Sequence, residues 1–185
     1  MLILGLSGLL LLVEWGPEVA METTIVSSQI RAALKMLQSA IDACPNSLWN
    51  RKVDANPFWV LAYHTLYFTH LYLSPSEDKF DPYVRQVAGH AGYGKADLGD
   101  WTDLTPADTF EKVDVLAYYD YIYEHVPSLV ESTPFDRPSG FHWLKFSKVE
   151  AHLYNLRHIQ HHAGQLSERL RQEANLGIRW VHDGS

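Results

Sequence analysis

Four of the ten histidines in this 185-residue chain, His152, His158, His161 and His162, fall within eleven residues of one another. Imidazole is the commonest metal ligand and the side chain whose charge changes nearest neutral pH, so such a cluster is a place to look for chemistry. On an α-helix each residue advances by about 100°, which puts His158 and His162 about 40° apart and within reach of one metal ion. The same arithmetic admits His158 with His161. The apolar positions Val149, Leu156, Ile159, Ala163, Leu166 and Leu170 mark the inward stripe of the same segment, and His162 lies nearer to it than His161 does. His162 is therefore the better inward candidate. Upstream, His64 falls among Val60, Leu61, Phe68 and Leu71, a polar ring in a stripe that reads as buried. Burying an unpaired polar group costs about 1 to 3 kcal/mol, so His64 needs a partner, and a metal shared with the later histidines supplies one. Three neutral imidazoles are a ligand set for a catalytic divalent ion with a position left open to water or substrate. His70 points about 120° away from His64. Taken singly, a buried histidine is more often bonded to a neighbouring helix and an i, i+4 pair is more often a solvated face; the coincidence of the two carries the reading.

The elements that position these residues read as helices. From about 22 to 43, Ile25, Ile30, Ala33, Leu34, Leu37 and Ile41 recur at amphipathic spacing, and Pro45 stops the run. Asn56 and Pro57 supply an N-cap and first helical residue for a second helix over about 57–73. Residues 74–105 form a 32-residue stretch with Pro75, Pro82, Gly89, Gly92, Gly94 and Gly99 and no sustained period. It reads as a long crossover that could cover a cleft, with short helical turns near 81–88. Thr105-Pro106-Ala107-Asp108 resembles a capped start, predicting a third helix to about Val130 whose last turn Pro127 kinks or frays. Residues 133–146 read as a loop, and Ser147-Lys148-Val149-Glu150 fits a capping box opening a fourth helix to about Glu173. No internal repeat and no alternating strand runs are present. Four amphipathic helices with a long second connection predict an all-α, four-helix-bundle fold.

Composition narrows the partners. The chain carries 15 Lys plus Arg against 22 Asp plus Glu, a formal charge of −7, and no basic run, so nucleic acid is not an expected partner. Hydrophobic residues make up 46% and charged residues 20%, which excludes collagen-like and wholly disordered classes. The single cysteine, Cys44, can form neither an internal disulfide nor a cysteine-based zinc site and reads as a small buried hydrophobe. With no sign of an oxidising compartment, the expected location is the cytoplasm. Residues 1–13, MLILGLSGLLLLV, are too short for the roughly 20 residues of a transmembrane helix and lack the basic flank and cleavage site of a signal peptide. The expected layout is an atypical apolar extension over 1–21, a helical domain over 22–175 and a tail over 176–185. A start at Met21 is the plainer alternative, since METTIVSSQIRAALKML opens directly into helical sequence.

The segments AYHTLYFTHLYL (62–73) and NLRHIQHHAGQLSERLR (155–171), with the H-x-x-x-H-x-x-Q-L pattern at His158, His162, Gln165 and Leu166, resemble the DinB-like superfamily. The likeness covers about 21–171. It implies a bundle in up-down-down-up order with a long link between helices 2 and 3, a metal held by His64, His158 and His162, and a homodimer; His161 matches no ligand position. It also implies a range of activities that includes thiol-dependent S-transfer, so a low-molecular-weight thiol joins Zn, Ni or Fe as an expected cofactor. The leading expectation is a metal-dependent transferase or hydrolase acting on a small molecule. In it the ion lowers the pKa of water or a thiol, and Gln165 orients a ligand or simply packs. Tyr67, Tyr154 and Asn155 are candidate cleft residues. The competing expectations are a non-catalytic metal- or small-ligand-binding bundle and a plain dimeric interaction protein.

Overall fold

A computed structural model of the chain describes residues 17–53, 56–81, 83 and 109–184, and it is mostly helical. Helix α1 spans Pro17–Ala43, the short α2 Asn46–Trp49, α3 Phe58–Leu73, α4 Lys112–Glu131 and α5 Lys148–Ala174. The only strands among the described residues are the two-residue β1 (Lys52–Val53) and β2 (Asn56–Pro57), paired antiparallel. Among the described residues, no helix is long and apolar enough to cross a membrane.

Helix α1 is already helical at the first described residue, Pro17, earlier than its periodicity predicts. Its inward seam runs Thr23, Ser27, Ile30, Leu34, Leu37 and Ile41, spaced alternately by four and three. Ile25, read from the sequence as part of the stripe, is 54% exposed, because stepping back from Ile30 by three and four reaches Ser27 and Thr23 instead. Helix α3 contains no Asp, Glu, Lys or Arg, and every residue except Phe68 is buried. Its two buried threonines are satisfied within the helix: Thr65 Oγ1 donates to Leu61 O and Thr69 Oγ1 to Thr65 O, each at 2.6 Å. The predicted Asn56 cap is not made; Asn56 sits in β2, Pro57 precedes the first turn, and no side chain caps it.

Helix α4 starts at Lys112, after Glu111, whereas the capped start predicted at 105–108 lies outside the described residues. Pro127 lies inside this helix, which continues to Glu131 because Val126 and Val130 are fully buried and hold the last turn in place. Helix α5 opens as predicted, with Ser147 Oγ accepting from Glu150 N, and ends at Asn175 in a left-handed conformation (φ 54°). Of the predicted turns near 81–88, residues 81 and 83 are non-helical and the others lie outside the described residues; a 3₁₀ turn occupies Glu77–Lys79. Beyond α5 the chain returns to α1, where Gly184 N meets Ser28 Oγ at 3.2 Å.

Each long helix packs on two others: α1 on α4 and α5, and α3 on α4 and α5. The start of α4 lies beside the end of α1, where Lys112 Nζ donates to Cys44 O. The core they enclose includes Trp59, Phe58, Tyr118, Ile30, Leu34, Ile122 and Ile159. Cys44 is buried beneath it, and burial pushes its thiol up to about 11, so it stays protonated as a small hydrophobe.

Candidate metal centre

The register between α3 and α5 decides what faces His64. At one end the fully buried Lys148, first residue of α5, donates from Nζ to the carbonyls of Ser74, Tyr72 (3.4 Å) and Ser139 (3.5 Å), with its charge 5.3 Å from the Phe141 ring centroid. Burial with no carboxylate beside it lowers this lysine to about 8. Mid-helix, Asn155 Nδ2 donates to Thr69 O at 3.1 Å, and at the far end Arg169 Nη1 donates to Asn56 O at 2.8 Å. These three ties run α5 antiparallel to α3 and bring His64 opposite His158 and His162.

One potential ligand atom from each of the three histidines lies within 4.8 Å of the others. Nε2 of His158 is 3.3 Å from Nε2 of His64, and the ring centroids are 4.9 Å apart for His64 with His162 and 4.6 Å for His158 with His162. His64 and His162 are buried and His158 is half-buried. The Phe68 ring closes one side, 4.7 Å from His64 and 5.7 Å from His158. All three imidazoles are held neutral. Burial, then the neighbouring His162, lowers His64 to about 4, while burial and the surrounding imidazoles lower His158 to about 3. His162 is lowered chiefly by burial, against the bond from Gln165.

Gln165 Oε1 sits 2.7 Å from His162 Nδ1. A carbonyl oxygen only accepts, so Nδ1 carries the proton and Nε2 presents its lone pair. Nδ1 of His64 and Nδ1 of His158 are buried and meet no protein partner, so neither ring is tied by a second hydrogen bond. A direct hydrogen bond between the two Nε2 atoms needs one of them protonated, whereas a cation accepts both as bare donors. Three neutral nitrogen donors suit a borderline divalent ion such as Zn, Ni or Fe.

The other candidates separate. His161 is exposed with its ring 5.0 Å from His162, on the solvent side of the cluster. His70 turns to α4, where Nδ1 meets Tyr118 Oη at 3.1 Å. Tyr67 is buried among Tyr63, Phe68 and Phe80. Asn155 is committed to Thr69 O. Tyr154 does line a hollow of about 540 Å³ beside the site, with Arg157, His158, Gln160 and His161.

Sequence reasoning missed a buried polar seam on α5. Lys148, His152 and Asn155 occupy inward positions, while Val149, assigned to the stripe, is half-buried. Extending the spacing of Ile159, His162 and Leu166 back by fours and threes would have found them. No family model, curated protein or solved structure matches the chain.

Proposed function

We propose that this chain is a metal-binding protein whose His64, His158 and His162 hold one divalent ion, Zn, Ni or Fe, and that it acts as a metal-dependent enzyme of the thiol-transferase or hydrolase type. The observation that carries this reading is the convergence of three neutral imidazoles from two helices, His64 and His158 being 94 residues apart in sequence, with their ligand atoms within 4.8 Å. A divalent cation supplies Lewis acidity, lowering the pKa of a water or low-molecular-weight thiol so that a nucleophile is available near neutral pH. The protein's own part is to keep the imidazoles unprotonated by burial, to fix the His162 tautomer through Gln165, and to leave the half-buried edge of His158 open to the hollow.

The helix contacts support a four-helix bundle in up-down-down-up order: α4 begins beside the end of α1, and α5 begins beside the end of α3. With the two histidine segments, this supports a place in the DinB-like superfamily. Homodimerisation is supported by that likeness and by apolar side chains left exposed on α1 and α4, Met21, Ile25 and Val113. The cytoplasm is the proposed compartment, in keeping with the unpaired Cys44. The described residues lining the hollow include no carboxylate to serve as a base, which favours a second reading as a non-catalytic metal-binding bundle.

Elemental analysis of protein purified without chelators tests the site. The expected result is about one metal ion per chain, lost in His64→Ala, His158→Ala and His162→Ala and kept in His161→Ala. No metal in the wild type after incubation with Zn, Ni or Fe(II) sinks the reading. Thiol-transfer and hydrolase screens of metal-loaded protein then separate enzyme from binding protein.

A further inference from the structure

Around α5 the 100° step per residue orders one face as Arg157, His161, Tyr154, His158 and His162, passing from solvent to core. Burial follows the same order: Arg157 and His161 are exposed, Tyr154 and His158 half-buried, His162 buried. The hollow of about 540 Å³ thus holds an arginine and a proposed metal ligand in one lining. Arg157 is also uncommitted. Its i±3 and i±4 neighbours on the helix are Leu153, Tyr154, Gln160 and His161, none of them acidic, and among the described residues it enters no ion pair. By contrast, Arg171 on the same helix pairs with Glu168. In a chain with seven more acidic than basic residues, an arginine that pairs with no carboxylate among the described residues beside such a site is available to one from outside. Tyr154 gives the hollow a firm wall, because its ring packs edge-on to Tyr72 at 5.3 Å.

We infer that Arg157, flanked by His161, is the anion subsite of the three-histidine centre, and that the substrate is a small carboxylate whose acid group docks on Arg157 while its stem lies on Tyr154 and its reactive end reaches the open side of His158. The guanidinium fork matches a carboxylate with two parallel hydrogen bonds, which lysine cannot reproduce. This inference rests on the metal-site reading above, and the experiment separates the two.

The full chain is loaded with Co(II) and titrated with 3-mercaptopropionate and with 2-mercaptoethanol, thiols of similar size with and without a carboxylate, following the sulfur-to-cobalt absorption in the near ultraviolet. The wild type is expected to bind the carboxylate thiol about tenfold more tightly at low salt, a preference that shrinks as salt is added. Arg157→Gln should bring 3-mercaptopropionate to parity with 2-mercaptoethanol at wild-type cobalt content, and Arg157→Lys should keep only part of the preference. Cobalt bound with equal affinity for both thiols in the wild type, or a preference that survives Arg157→Gln, overturns the anion subsite and leaves the metal site standing. Cobalt bound with no new absorption from either thiol also overturns it, since no ligand then reaches the centre from the hollow. Failure to bind cobalt overturns both.

Discussion

At the scale of single residues, the histidines differ in how firmly they are set. His162 is oriented by Gln165, whose bond to Nδ1 selects its tautomer, whereas Nδ1 of His64 and of His158 has no protein partner. Replacing Gln165 by leucine frees the His162 ring to rotate or to protonate on Nε2, the nitrogen needed for the ion. Gln165→Leu is expected to weaken metal binding about 10- to 100-fold, read by competition with a chromophoric chelator. Gln165→Glu keeps an accepting oxygen and should retain affinity near that of the wild type. A wild-type affinity in Gln165→Leu would show that packing alone orients the ring.

At the scale of elements, the loop between α4 and α5 fixes the α3–α5 register, because it is clamped to the end of α3. Gly140 sits at φ 88°, and a Cβ there would lie 2.2 Å from Pro75 O and 2.7 Å from Ser76 Cα. Glu77 N donates to Gly140 O at 3.1 Å in the same close approach, so backbone meets backbone with no room to yield. Gly140→Ala is expected to destabilise the fold by about 2 kcal/mol, measured as a drop in the urea midpoint. An unchanged midpoint would show that this loop gives way without cost. The shift propagates to the site because Lys148 takes carbonyls from both α3 and this loop, Ser74 and Tyr72 on one side and Ser139 on the other.

At the scale of the whole molecule, buried neutral histidines make the fold sensitive to acid. Apart from the proposed ligands, His70 is lowered from 6.5 to about 4 by burial, with Asp81 opposing, and His152 to about 3 by burial and then Lys148. Neither ring nitrogen of the fully buried His152 meets a protein partner. Unfolding releases these rings to an ordinary value near 6.5, so below that pH the unfolded chain binds more protons than the native one. Stability is fully present above pH 6.5 and falls as pH drops, by about 1.4 kcal/mol per unit for each such histidine, until the folded values near 4 and 3 are passed. Denaturant unfolding of metal-free protein from about pH 7.5 down to about pH 4, inside the window, should show this decline, and His152→Phe should make it shallower. An equal slope in the variant would show that His152 is not held neutral in the fold.

Periodicity and local chemistry were enough to read α5, its Ser147 cap, the pairing of His158 with His162 and the outward place of His161, because all of these follow from steps of 100° along one helix. They were enough to mark His64 as a polar ring in a buried stripe. They misplaced Ile25 and did not place Lys148, His152 and Asn155 on the buried face of α5, since a mean apolar stripe does not say which of two adjacent positions packing will enclose. The meeting of His64 with His158, at 3.3 Å across 94 residues, was decided only by tertiary structure. That distance depends on the axial register of two helices, and register is set by remote ties, Lys148 to Ser74, Asn155 to Thr69 and Arg169 to Asn56, whose partners no local spacing can pair.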